Sequence, residues 1–224
     1  GPGSPVGVTS GLGAQFPAKY QKAIYCLDWT YGTMSAMHLN AKGSSYLAER
    51  EEFVASAKLR MTDAVINPVD GAMYFTVGGR GGQSALYRVT YTGKEDTSPA
   101  QKDSAFDVDR ILRATLESHH VVGKGTVDKV WKHLGHEDRH IRWAARVALE
   151  HQPVEQWDDR ALKEKSPQAS LTALCALARH GDSSIQGKLL SALEKLNLGN
   201  LSKSQQLELL RVYQLTFIRL GEPD

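Results

Sequence analysis

The sequence has few of the features that would place a chain at once in a functional class. It holds only two cysteines, Cys26 and Cys175, far apart in apolar runs and outside any Cys-x-x-Cys pair, so no zinc knuckle, redox pair or covalent haem site is indicated. No apolar run approaches about eighteen residues, so no transmembrane helix is predicted. The 27 Lys and Arg residues nearly balance the 25 Asp and Glu residues, which gives no electrostatic footprint for nucleic acid.

Short β-rich runs separated by turn signals fill the first part of the chain, in two rounds that resemble each other. The predicted strands cover residues 5–9, 23–27, 33–39, 51–55, 63–66, 72–77 and 85–91. Four strands per round are the blade of a β-propeller. Residues 1–93 are therefore predicted to form a partial propeller of about two antiparallel blades, with a small sandwich of seven strands as the alternative.

After a polar linker at residues 94–106, the hydrophobic period changes from two to about 3.6 residues, which is typical of helices. Helices are predicted at residues 107–118, 126–134, 138–150, 157–164, 168–180, 184–196 and 202–220. The segment from Glu137 to Leu149 is similar to the HEAT-repeat signature, with an acidic cap, an arginine one turn later and small alanines for close packing. The predicted fold is thus a mixed, multidomain one in which a HEAT-like α-helical solenoid (residues 107–224) follows the partial propeller.

One phrase in the β-rich part resembles a known family. It reads Pro68-x-Asp70-Gly71-Ala72-x-Tyr74-x-Thr76, followed later by Leu86-Tyr87-Arg88-Val89. This pattern resembles the propellers of soluble quinoprotein sugar dehydrogenases, and the chain as a whole resembles large exported bacterial dehydrogenase-like proteins that combine a propeller, helical repeats and a c-type cytochrome domain.

The resemblance implies partners and a location that the residues themselves do not indicate. It implies a periplasmic or cell-surface protein, further propeller blades in a longer parent chain, and a cytochrome domain as electron acceptor. A quinone cofactor and calcium are implied for the parent, and none for this segment alone. The helical part would offer its concave surface to a protein partner.

Seven residues are candidates for ligand binding, because the predicted blade topology places their loops on one face, where rigid scaffolds bind ligands. They are Asp28, Trp29, Thr62, Asp63, Arg80, Gln83 and Arg88. Arg80 and Arg88 are the nearest candidates for contacts to a cofactor. The structural alternative is that Asp63 caps a turn, Arg80 pairs with Asp28, and Arg88 is a strand residue that faces solvent.

His136 and His140 fit the zinc-protease pattern H-E-x-x-H, in which both histidines lie on one helical face. However, Asp138 is better placed as the cap of a helix that begins beside it, which leaves His136 in a turn. Metal binding is therefore disfavoured. Arg139, Arg142 and Arg146 form a basic stripe at helical spacing, for which either a solvated face or salt bridges to the neighbouring repeat are expected. Trp131, Trp143 and Trp157 are predicted to be buried between helices.

Two functional hypotheses remain open on this sequence. The first is a quinoprotein-like sugar dehydrogenase in the full-length parent, which rests on resemblance alone. The second is a non-catalytic scaffold that binds carbohydrate or protein, which needs no catalytic group. No catalytic residue is identified, since fold does not settle function.

Overall fold

The computed structural model describes residues 3–222. The chain divides into two compact units. One unit runs through Lys42 and from Tyr46 to Ala105, and we call it the sheet unit. The other contains Gly43–Ser45 and continues from Phe106 onward, and we call it the helical unit.

The sheet unit begins with a four-stranded antiparallel sheet in the order β1-β2-β3-β4. Its strands are β1 (Pro5–Ser10), β2 (Ile24–Asp28), β3 (Thr33–Lys42) and β4 (Ser45–Ala55). Burial alternates along β2, where Tyr25 and Leu27 are buried and their neighbours are half-buried. This period of two is what a strand with one face on a core requires.

A three-stranded antiparallel sheet follows, in the order β5-β6-β7. Its strands are β5 (Met61–Ile66), β6 (Met73–Gly79) and β7 (Gly82–Val89). The two sheets approach each other at β1 and β5, where a Cβ added to Gly7 would lie 2.9 Å from the Cα of Asp63. Both sheets contribute to one core that includes Tyr25, Met34 and Phe75.

A short helix, α1 (Ala18–Gln21), connects β1 to β2. The buried Gln21 side chain ties the segment after β7 to this helix. Its Nε2 donates to the carbonyls of Thr97 (3.1 Å) and Ser98 (2.9 Å), and its Oε1 accepts from the amide of Ala100 (2.9 Å). Three residues of the predicted linker are therefore hydrogen-bonded to the side chain of Gln21.

The helical unit contains seven α-helices within its described residues. They are α2 (Asp107–Glu117), α3 (Thr126–Trp131), α4 (Arg139–Glu150), α5 (Asp158–Lys163), α6 (Pro167–His180), α7 (Gln186–Glu194) and α8 (Lys203–Leu220). Three short 3-10 turns lie between them. No helix in residues 3–222 has both the length and the apolar character needed to cross a membrane.

Helix α6 lies at the centre of the helical core. It packs against α4, α5, α7 and α8, and nine of its fourteen residues are buried. A helix that is apolar nearly all round is expected in such a central position. Helix α4 instead buries one face, through Ile141, Ala145 and Leu149 among others.

The predicted fold class, a partial propeller followed by a HEAT-like solenoid, is wrong. The strands form two open antiparallel sheets of four and three strands, and neither closes. Alternating strands and turn residues specify antiparallel sheets in general, and sheet closure depends on contacts that this pattern does not encode. The helices range from six to eighteen residues, so they do not build the equivalent hairpins that a repeat array stacks. The predicted strand and helix segments themselves are confirmed.

Candidate functional site

The structure places the predicted acidic candidates in supporting roles. The carboxylate of Asp28 accepts from the backbone amides of Ser4 (3.1 Å) and Tyr31 (3.0 Å). That of Asp63 accepts from the amide of Ala64 (2.9 Å). The Asp28 bonds stabilise the chain at the end of β2, and the Asp63 bond lies within β5. Both carboxylates thus accept from the protein's own backbone.

Trp29 and Thr62 line a cavity of about 610 Å³ in the sheet unit. The indole Nε1 of Trp29 donates to the carbonyl of Gly78 (2.8 Å). The guanidinium groups of Arg60 and Arg80 lie 4.9 and 5.0 Å from the Trp29 ring centroid, which is within the range of a cation–π interaction. The sequence indicated Arg80 but missed Arg60. Trp29 and Thr62 are the two predicted residues that meet in this cavity.

Arg88 and Gln83 do not join that cavity. Both are exposed on β7. Arg88 pairs with Asp70 (3.0 Å), which also accepts from the hydroxyl of Tyr74 (3.0 Å). The amide of Ala72, together with Arg88 and Tyr74, holds the pKa of Asp70 below its usual value. Arg88 therefore anchors the turn before β6.

The residues present do not fit a calcium-assisted quinone site. Calcium takes six to eight oxygen ligands, several of them carboxylates. Among the described residues, no group of three or more His, Cys, Asp or Glu side chains is placed to hold a metal ion. Asp28 and Asp63, the acidic candidates, bond to backbone amides instead.

The H-E-x-x-H match does not have the geometry of a zinc protease. The side chain of Asp138 accepts from the amides of His140 (2.7 Å) and Ile141 (3.4 Å), and α4 begins at Arg139. The predicted cap is thus confirmed. His136 lies in the preceding turn, where its Nδ1 accepts from the amide of Asp138 (3.0 Å), so the two histidines do not share a helical face.

A second cavity, of about 540 Å³, lies entirely within the helical unit, and we call it the arginine groove. Helices α2, α4, α6 and α8 supply its walls. It is lined by Arg113, Arg139, His140, Arg142, Trp143, Arg146, Leu171, Thr172, Cys175, Glu208, Arg211 and Val212. Five of these residues are arginines and one is an acid. Three of the five arginines pair with carboxylates, Arg113 with Glu117, Arg142 with Glu208 and Arg146 with Glu150. The uncompensated positive charge of the groove therefore comes from the other two.

Arg142 is a structural member of this lining. Its Nη1 donates to the carbonyls of His136 (2.7 Å) and Glu137 (3.0 Å), and its Nη2 pairs with Glu208 on α8 (3.4 Å). Arg146 contacts the Sγ of Cys175 (3.1 Å) and pairs with Glu150 (3.6 Å). The predicted salt bridge to a neighbouring helix is confirmed for Arg142, whereas Arg146 pairs within α4.

Arg139 and Arg211 are free to meet a ligand. Both are exposed, and neither guanidinium bonds to another side chain or carbonyl in the part of the chain that the structure describes. A guanidinium stays protonated at physiological pH and presents a planar fork that matches a carboxylate. The guanidinium groups of Arg139 and Arg211 therefore offer hydrogen-bond donors to a ligand in the groove.

Trp143 adds an exposed aromatic surface to the groove. Its side chain is 46% exposed, whereas Trp131 and Trp157 are 6% and 1% exposed. The prediction of burial is confirmed for the latter two and wrong for Trp143. The sequence did carry a signal for this, because Trp143 lies outside the apolar face that Ile141, Ala145 and Leu149 define.

We found no match to the chain among protein-family models, curated proteins or solved structures.

Proposed function

We propose that this protein is a non-catalytic binding module whose arginine groove takes an acidic peptide segment of a partner protein. The observation that carries the proposal is a cavity lined by five arginines from three helices, two of which, Arg139 and Arg211, have no ion-pair partner among the described residues. Such a concentration of donors favours a ligand with several carboxylates, because bidentate guanidinium–carboxylate contacts are strong and directional.

The dimensions of the groove support a peptide side-chain cluster as its ligand. A volume of about 540 Å³ lies within the range of sites that enclose a few side chains or a small molecule. The near balance of charge over the whole chain speaks against an extended nucleic-acid surface, which needs a long basic patch.

Some side chains of the lining are held by contacts within the protein, and others are available to a ligand. Arg142 is held by two carbonyls and Glu208, so it shapes the groove. Arg139 and Arg211 are available for charge-assisted hydrogen bonds, each worth about 1.5–3 kcal/mol. The exposed Trp143 ring offers an apolar surface for the peptide backbone or an aromatic side chain.

The direct test is fluorescence anisotropy with a fluorescein-labelled peptide of Glu and Asp residues around a central Tyr. The double variant Arg139→Gln with Arg211→Gln should weaken binding by about tenfold or more, which corresponds to about 1.4 kcal/mol. Binding should also weaken as salt is added, because the contacts are partly exposed.

The matched control removes two positive charges elsewhere on the helical unit. Lys203→Gln with Arg219→Gln changes two exposed residues of α8 that do not line the groove, and it should leave affinity within about twofold. Equal weakening by both double variants would show binding by net charge alone and contradict the proposal. So would the absence of binding in low salt, or tighter binding of a lysine-rich peptide.

A further inference from the structure

Strand β7 leaves one edge of the second sheet open. The first sheet has four strands and the second has three, and β7 is the outer strand of the second. Within residues 3–222, no strand pairs with its outer side. All of its residues are exposed except Val89, which is half-buried. The outer backbone donors and acceptors of β7 are therefore available to another strand.

This edge lacks the features by which sheet edges are usually protected. Charged residues, prolines and bulges normally prevent edge-to-edge pairing. β7 contains no proline and only one charge, Arg88, which pairs with Asp70 of its own chain. Its pairing with β6 is regular from Ala85 to Val89, and the irregularity lies near the hairpin turn.

The opposite edge strand, β4, shows the contrast. It carries four consecutive charged residues, Glu49–Glu52. Both strands expose a leucine: Leu47 of β4 is 55% exposed and Leu86 of β7 is 65% exposed. The two edges are thus similar in apolar exposure and different in charge, which marks β7 as the edge that accepts a strand.

We propose that two copies of the chain pair through β7, antiparallel about a two-fold axis. Three strands from each copy would then form one continuous six-stranded sheet. A two-fold interface brings the same patch of each copy together, so each open edge satisfies the other. This inference does not depend on the arginine groove.

The sequence of β7 is compatible with such self-pairing. In a register centred on Leu86, Leu86 lies opposite its own counterpart, Tyr87 opposite Ala85, and Arg88 opposite Ser84. Opposed residues point to the same face, as antiparallel pairing requires. The two Arg88 side chains lie about 14 Å apart along the strands at about 3.4 Å per residue, and no like charges meet.

A copy of the chain suits this edge better than a charged foreign strand. Cross-strand neighbours stabilise a sheet when they are apolar or hydrogen-bonding pairs, and like charges opposite one another destabilise it. β7 offers Leu86, Tyr87 and polar residues of small or moderate size, and a second β7 offers the same. An acidic strand would find only Arg88, which is already paired.

Sedimentation equilibrium of the full chain over a wide concentration range tests the proposal. The average mass should rise from the 24.6 kDa of one chain toward twice that value. Leu86→Lys should weaken the dimer by about tenfold or more, because it opposes two ammonium groups across the two-fold axis. The matched variant Leu47→Lys, on the charged edge, should leave the association unchanged.

A cross-linking measurement fixes the interface independently. Leu86→Cys should form an intermolecular disulfide on oxidation, because opposed residues of paired strands bring their Cβ atoms within about 4.5–5.5 Å. Leu47→Cys should not. A monomer at all concentrations would overturn the proposal, as would a dimer that survives Leu86→Lys and gives no Leu86→Cys cross-link.

Discussion

At the scale of single residues, polar side-chain contacts also stabilise the sheet unit. The hydrophobic pattern of the sequence does not predict these contacts. Glu51 of β4 is the centre of one such cluster. Its Oε1 accepts from the Tyr20 hydroxyl (2.8 Å), and its Oε2 lies 2.7 Å from the Nε2 of His38 and 3.5 Å from the Nζ of Lys19. The cluster ties α1, β3 and β4 together at a point where the side chains are only partly buried.

These contacts make part of the stability depend on pH. Hydrogen bonds from His38 and then from Tyr20 hold the pKa of Glu51 below its ordinary value of 4.5. A carboxyl whose pKa is lower in the folded state than in the unfolded state stabilises the fold at pH values above its unfolded-state pKa. That stability is lost as the pH falls through the pKa of the folded state.

Glu51→Gln should therefore lower the free energy of unfolding at neutral pH, by up to about 1 kcal/mol for so exposed a cluster. The difference from the wild type should shrink as the pH falls below 4.5. Urea unfolding at a series of pH values measures it. Glu52→Gln, a neighbour on β4 that faces the other way, is the control and should show no such pH dependence. A constant difference across the series would argue against this role for Glu51.

At the scale of elements, helix α6 is the central packing element of the helical unit, because it contacts four other helices. Leu174 in its middle is fully buried. Removing most of a buried leucine side chain loses apolar contact and leaves a cavity. The cost should exceed that of any comparable truncation on a helix that buries one face.

Leu174→Ala should lower the stability of the helical unit by about 2–5 kcal/mol. Leu207→Ala on α8, where the side chain is 68% exposed, should change it by less than about 0.5 kcal/mol. Far-ultraviolet circular dichroism during urea unfolding reports the helical signal. Equal midpoints for the two variants would refute the central position of α6.

Element identity was predictable because each segment carries its own periodicity. All seven strand segments and the seven helices of the helical unit were predicted, although β4 begins at Ser45 rather than at Glu51 and β3 continues to Lys42. The helix α1 was missed, since four residues are too few to show a period of 3.6. Local pattern thus identified the α-helices of six residues or more and missed the four-residue one.

At the scale of the whole molecule, the local sequence pattern predicts the packing of the elements less well than it predicts the elements themselves. The similarity of the two strand rounds predicted equivalent blades, but the second sheet has three strands and neither sheet closes. The arginine stripe on α4 was visible in the sequence. Its convergence with Arg113 of α2 and Arg211 of α8 depends on helix packing and could not be read from spacing.

The same limit applied to the predicted ligand site. Trp29 and Thr62 meet in one cavity, whereas Arg88 belongs to a turn anchored by Asp70. Placing these loops on one face assumed a blade geometry that the chain does not adopt. The prediction of burial was likewise wrong for Trp143, which is exposed.

The most direct test of the arginine groove uses the four tryptophans as reporters in a two-dimensional nuclear magnetic resonance titration. Three indole Nε1 groups donate within the protein: Trp29 to Gly78, Trp131 to Glu164 and Trp157 to Gln152. Trp143 alone of the four lines the groove. A Trp143→Phe variant assigns its signal.

Titration with the acidic peptide should shift the Trp143 indole signal in proportion to saturation, while the signals of Trp131 and Trp157 stay in place. The Trp29 signal should also stay in place, because its cavity lies in the sheet unit. A peptide that binds and shifts Trp29 while Trp143 stays unchanged would contradict the account and move the binding site to the sheet unit.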